Sequence, residues 1–323
     1  MAETGYWRRY APWLESRQDP ALGITTPSFQ VYCIETPHGE EWARSMLHMY
    51  ELTLLYGVCR HDYQGLGEIV DGGPLLGAGT FAMARGLAHN AEVANKHKRI
   101  YSFDLWLASG LGDYTADVGA ATGSVFERFL EINRDYLDEI WPSPGSLLEM
   151  RWGGSPIEVL FVDLAKNLDL NAWVLRNWFT CLIPGKSVLI QQDYLHFAEW
   201  WIAVTMEYFR ECFELIEFVY GGSAVYRCIK PISADRIEAF LRLSVADHAS
   251  LMRSAISGAP ESVAEVLKSG LAWLLMETDP AGAARALETV RPGIRHPDPA
   301  QNFSEIAESN SNMVWERLRQ NKP

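Results

Sequence analysis

Four aspartates in this chain each follow a short apolar run. Asp71 closes Ile69-Val70, Asp104 closes Ile100 to Phe103, and Asp163 closes Ile157 to Val162; Asp193 follows Ser187 to Ile190 across Gln191-Gln192. Runs of this kind read as buried strands, and an acid at the carboxyl end of such a strand stands at the edge of a parallel sheet where ligands bind. Behind Asp71 comes Gly72-Gly73-Pro74-Leu75-Leu76-Gly77-Ala78-Gly79-Thr80, a glycine-rich turn leading into a helix start. A strand, a glycine turn against a helix N-terminus and an acid closing the next strand together describe a nucleotide cradle. Glycine lets the backbone approach a ligand with no Cβ in the way. Asp104 is placed to accept from two vicinal ribose hydroxyls. The same glycines would also suit a purely structural turn, and Asp104 a turn cap.

A second set of residues could move protons. Lys166 lies three residues past Asp163, so one turn of chain brings both over one pocket. Near a divalent cation in a partly dry site a lysine loses basicity and can act as a base. Asp193 and His196 are three apart at a helix start, where the imidazole is a candidate base or metal ligand. The plainer readings are a helix N-cap for Asp163, a solvated Lys166 and a local hydrogen bond for His196. Trp106, Trp152, Trp200 and Trp201 flank the expected mouth and suit stacking on a flat substrate or, equally, core packing.

The elements that must position these residues alternate. Strands are expected at 69–71, 100–104, near 137–141, at 157–162 and at 187–190, with helices from Thr80 to Leu87, from Ser124 to about Asp138, over Trp173–Phe179 and from about Phe197 to Phe209. Phe213–Tyr220, Gly221-Gly222-Ser223 and Ala224–Ile229 read as a β-hairpin. Alternation of this kind predicts an α/β fold with a parallel sheet covered on both faces, and the hairpin adds an antiparallel strand. Ahead of it, Glu40 to Val58 has helical spacing and reads as a cap helix, and residues 1–30 as an extended arm. Beyond it, helices are expected over 235–243, 246–256, 261–275, 280–289 and about 304–318. The divisions are an arm and cap at 1–64, a core at 65–232 and a helical extension at 233–323.

This order of parts resembles the class I S-adenosylmethionine-dependent methyltransferases. Asp71-x-Gly73-x-x-x-Gly77-x-Gly79-Thr80 resembles the segment that holds the methionine part of the cofactor, and Asp104 stands where the ribose-binding acid stands. Phe161-Val162-Asp163-Leu164-Ala165-Lys166, followed by Gln192-Asp193-Tyr194, is similar to small-molecule O-methyltransferases of the catechol, caffeoyl-CoA and macrolide-sugar types. The resemblance implies a Rossmann-like, doubly wound, mostly parallel seven-stranded sheet ending in an antiparallel hairpin. It implies S-adenosylmethionine as cofactor, bound by Asp71, Gly73, Gly77, Gly79, Thr80, Asp104, Ser146 and Asp163. It also implies one magnesium ion on Asp163 and Asp193, with Gln192 beside them where many relatives carry a second carboxylate. Asp163, Lys166 and His196 would carry the catalysis, on a hydroxyl of a sugar, phenol or other natural-product acceptor.

Composition narrows the alternatives. The formal net charge of −13 argues against nucleic acid and anionic membranes, whose phosphates it would repel. No apolar run approaches the ~20 residues of a membrane span, and the first residues lack an apolar signal core, so a cytoplasmic protein is expected. Five widely spaced cysteines form no C-x-x-C pair; Cys33, Cys181, Cys212 and Cys228 read as buried thiols. Amphipathic helices after Ser233 leave apolar faces that favour a homodimer. Two other readings stay open: a nicotinamide oxidoreductase, which G-x-G-x-x-G would have marked and which the hairpin disfavours, and a non-catalytic relative acting as an assembly partner.

Overall fold

The structure, a computed structural model, describes residues 14–16, 30–36, 39–108, 123–296 and 302–320. The arm, apart from residues 14–16 and Gln30, and most of the glycine-rich loop at 110–123 lie outside these residues. Three strands, β1 (Leu14–Ser16), β2 (Gln30–Thr36) and β3 (Gly39–Ser45), form an antiparallel sheet in the order β1-β2-β3. Seven more form the main sheet: β4 (Glu68–Gly72), β5 (Ile100–Asp104), β6 (Ile140–Pro144), β7 (Ile157–Val162), β8 (Val188–Gln191), β9 (Phe213–Val219) and β10 (Ser223–Cys228). Their order is β6-β5-β4-β7-β8-β10-β9. β5 and β7 both pair in parallel with β4, β6 pairs in parallel with β5, and β10 pairs antiparallel with β9. The expected Rossmann-like sheet with its closing hairpin is present. Its strand order reverses between β4 and β7, and such a reversal opens a crevice at the carboxyl ends of the strands.

By its internal contacts the chain divides into two compact units, residues 1–164 with 187–189, and residues 165–186 with 190–323. In the first unit, β7 is apolar except for Glu158, and all six of its residues are buried. Burial of each such aliphatic side chain contributes roughly 1.5–3 kcal/mol. Glu158 is retained because its carboxylate accepts from the backbone N–H groups of Gln64, Leu66 and Gly67 at 2.7, 2.6 and 3.2 Å. It thereby fixes the chain entering β4. The cap helix expected from Glu40 begins later. Residues 39–45 pair with β2, and α1 spans Met49–Gly57. The start is set by His48: its Nδ1 accepts from Tyr50 N–H, and its own N–H donates to Glu51, a capping box. Helix α2 (Ala78–Ala88) follows β4.

The helix expected to reach Asp138 is shorter, α3 (Phe126–Ile132). It stops where Asn133 turns its amide onto Phe129 O and Gly77 O. The third strand therefore falls at 140–144 rather than 137–141. It carries Pro142 and Pro144, residues tolerated on an edge strand because they need not donate to a neighbour.

In the second unit, α4 (Leu168–Asn177) starts earlier than expected because the Asn167 side chain caps Leu170 N–H at 2.9 Å. The helix expected from Phe197 begins at Trp201, giving α5 (Trp201–Tyr208). The extension is helical as expected: α6 (Ala234–Phe240), α7 (Val245–Gly258), α8 (Glu261–Leu275), α9 (Pro280–Glu288) and α10 (Ser304–Gln320). Cys212 and Cys228 are buried free thiols, whereas Cys181 is only half-buried. No described helix is long and apolar enough to cross a membrane.

Candidate active site

The glycine turn after β4 lines an open cleft of about 360 Å³ including solvent-facing space. Its walls come from residues 45–47, the turn from Gly73 to Gly79, Phe161 and Asp163. Two glycines here have no substitute. Gly73 has φ 98°, and a Cβ on it would stand 2.7 Å from Asp163 O. Gly77 has φ 95° and caps α2, and its Cβ would stand 2.4 Å from Asn133 Nδ2. Both demands come from neighbouring protein atoms, so these glycines shape the cradle before any ligand enters it. Asp163 N–H in turn donates to Gly72 O at 2.7 Å, locking the turn onto the end of β7.

Asp71 and Thr80 are fully buried and lie outside the cleft wall. The Thr80 hydroxyl donates to Asp71 Oδ2. The other oxygen, Oδ1, is buried and accepts no hydrogen bond among the described residues. Burial pushes the Asp71 carboxyl up to about 7, against the pull of the Thr80 hydroxyl and with help from Asp163 and Asp104. The pair supports the turn from beneath.

Asp104 is fixed by backbone. Its Oδ2 accepts from Leu75 N–H at 2.9 Å and its Oδ1 from Trp106 N–H at 2.7 Å. Burial raises its pKa, and these N–H groups hold the rise back. The Leu105 N–H also bears on the carboxylate, so of its roughly four lone-pair directions three face backbone donors and one is left for a ligand hydroxyl. The acid is thereby tied to the glycine turn through Leu75, which itself has φ 48°. Ser146 is half-buried in the turn after β6, next to Gly145, whose N–H donates to Asp104 O at 3.0 Å. It lies outside the cleft wall.

Sequence reasoning passed over Asn133. It is buried, and it binds Gly77 O at 3.2 Å and Phe129 O at 2.9 Å. An asparagine 56 residues from the turn gives no local signal of this role. Trp106, expected near the mouth, is buried against Phe126 and Phe129. Trp152 donates to Ser155 O at 2.8 Å.

In the second unit Lys166, from the segment after β7, meets the turn after β8 that carries Asp193 and His196. Lys166 Nζ pairs with Asp193 Oδ2, and His196 Nδ1 meets Glu199 Oε2. Asp193 has a left-handed backbone, φ 59°. Burial disfavours the His196 cation, but the Glu199 carboxylate and the charge of Asp193 outweigh it, so the imidazole pKa is raised. Gln192 is buried, and its Oε1 accepts no hydrogen bond among the described residues. Trp201 donates to Ala165 O at 2.8 Å, beside Lys166, and Trp200 packs on Trp201 and His248.

The donors on this turn do not fit the implied metal. Among the described residues, no group of three or more His, Cys, Asp or Glu is arranged to hold an ion. The Asp193 carboxylate already holds the Lys166 ammonium, and Gln192 supplies only an amide oxygen. Magnesium demands near-octahedral oxygen ligands, with carboxylates foremost.

Several solved structures are similar to this chain. The O-methyltransferase NovP matches at 17% identity over 58% of this chain and 82% of that chain, with a TM-score of 0.45. The calicheamicin methyltransferase CalS11 matches at 18% identity over 56% and 81%, with a TM-score of 0.42. A methyltransferase from Geobacter sulfurreducens matches at 18% over 55% and 78%, with a TM-score of 0.36. No protein-family model matches the chain, and no curated protein does.

Proposed function

We propose that this chain is an S-adenosylmethionine-dependent methyltransferase acting on a hydroxyl of a small-molecule acceptor. The observation that carries the reading is the anchoring of Asp104 onto the glycine turn through Leu75 N–H, with an open cleft along that turn. A fixed acid at the carboxyl end of its strand suits a ribose hydroxyl. The same turn, from Gly73 to Gly79, lines the cleft, which suits the amino-acid end of the cofactor.

S-adenosylmethionine, when bound, supplies a methyl group on a positively charged sulfur. The chain would then have to hold the acceptor hydroxyl against that methyl group, so most of the rate would come from positioning. One proton must leave the acceptor. Of the two expected bases, Lys166 is engaged as the cationic partner of Asp193. His196 is the better base: with Glu199 accepting at Nδ1, the free Nε2 carries the basic lone pair. The raised pKa makes it a stronger base once deprotonated.

The test is product formation. The purified chain is incubated with methyl-labelled S-adenosylmethionine and a panel of hydroxylated sugars and phenols, and products are read by mass spectrometry. A labelled methyl ether supports the reading. Cofactor binding without transfer to any acceptor favours the non-catalytic alternative, and a response to NADH instead favours the oxidoreductase.

A further inference from the structure

The turn that carries His196 is gripped from two directions within the second unit. Leu195 N–H donates to Gly222 O of the β9–β10 turn at 3.1 Å. Leu195 O accepts from Asn310 Nδ2 at 2.8 Å, across 115 residues of chain. Both Leu195 and Asn310 are buried, and Leu195 belongs to no helix or strand that could satisfy its carbonyl otherwise. Asn310 is on α10, whose docking needs only an apolar stripe, and Ala307, Val314 and Leu318 provide one. An amide in that stripe costs desolvation unless it is bonded, and its partner here is the backbone of the site turn. The start of the same helix holds the hairpin turn that grips Leu195 from the other side. Tyr220 Oη donates to Glu305 Oε2 at 3.3 Å, and the Tyr220 and Phe303 rings stack at 6.4 Å and 15°.

We propose that Asn310 is a positioning residue for the site turn: by fixing the Leu195 carbonyl, its amide sets where the Asp193 and His196 side chains stand. The helical extension therefore serves the chemistry and is more than an added layer. The effect on turnover rests on the proposed methyl transfer, whereas the bracing of the turn stands without it.

The test compares Asn310→Leu, which keeps size and removes the donor, with Asn312→Leu on the exposed face of the same helix. Asn310→Ala replaces it if the leucine variant does not fold. Two quantities are read: hydrogen–deuterium exchange of the 193–196 backbone, and kcat separately from KM with a working acceptor. Asn310→Leu is expected to speed exchange at 193–196 by about tenfold while α8 keeps its protection. It should lower kcat by about tenfold or more, since small misplacements of a reacting group are costly, with KM and cofactor affinity unchanged. Asn312→Leu should match the parent in both. Unchanged exchange at 193–196 overturns the bracing, and faster exchange with unchanged kcat overturns the positioning role. A parent chain with no methyl transfer overturns the proposed function, and the exchange result alone then decides the bracing.

Discussion

Replacing Gly73 by alanine tests whether the turn is built as described. At φ 98° a residue with a Cβ pays the left-handed penalty of about 1–2 kcal/mol. The added Cβ would also lie 2.7 Å from Asp163 O and 2.8 Å from Asp163 C. Those are backbone atoms at the end of a buried strand, and relieving overlap of that kind costs roughly 1–3 kcal/mol. The variant should therefore lose about 2–5 kcal/mol and melt at least roughly 5 °C lower. Gly79→Ala is the matched control. It lies inside α2, its Cβ would meet only side chains, Leu47 Cδ1 at 3.3 Å, Leu55 Cδ1 at 3.5 Å and Phe161 Cε1 at 3.7 Å, and alanine is the better helix former by up to about 1 kcal/mol. Thermal unfolding and S-adenosylmethionine calorimetry on both variants provide the assay. Gly79→Ala should keep its stability, and Gly73→Ala should lose both stability and binding. Equal behaviour of the two, or a Gly73→Ala variant that melts with the parent, refutes the reasoning.

Asp104→Asn puts an amide NH₂ against the N–H of either Leu75 or Trp106; cofactor affinity should fall about tenfold or more by calorimetry, and an unchanged Kd would remove Asp104 from the site. Because the folded-state pKa of His196 is raised, the acid limb of kcat should lie above the ordinary histidine value of 6.5. In Glu199→Gln the imidazolium loses its carboxylate partner, its pKa falls, and that limb should move to lower pH in a kcat–pH profile; a limb that does not move excludes the pair. The Asp71 carboxyl stands at about 7 in the fold against 3.8 ordinarily, so the fold favours its protonated form. Its stabilising contribution is present below 3.8 and lost as pH rises through about 7. Asp71→Asn should therefore flatten the fall in Tm as pH rises from 3.8 to about 7, and an identical slope in both proteins would place the titration elsewhere.

The parts legible in the sequence are those whose signal is local. The runs at 100–104 and 157–162 matched their strands residue for residue, because a buried parallel strand is a short apolar run with clear ends. The glycine turn, the hairpin and the extension were legible for the same reason. The N-terminal sheet was missed because Trp42 and Met46 share a helical spacing with Met49 and Leu52, while the Pro-His-Gly at 37–39, a turn signal, was passed over. The supports of the site were not legible. Asn133 under Gly77 and Asn310 on Leu195 act across 56 and 115 residues, and only the folded chain brings them in. Glu158 did leave a trace, as the lone acid in an apolar strand, and such a residue needs buried donors. The metal expectation rested on two aspartates at strand ends, and could not foresee that Lys166 would pair with one of them.

The central claim is that the Gly73–Gly79 turn and Asp104 form a cofactor site. Isothermal titration calorimetry of the intact chain with S-adenosylmethionine, beside Asp104→Ala, tests it most directly. Saturable one-site binding by the parent, weakened about tenfold or more in the variant, is the predicted result. No saturable heat at millimolar cofactor, or equal affinity in the two proteins, would contradict it.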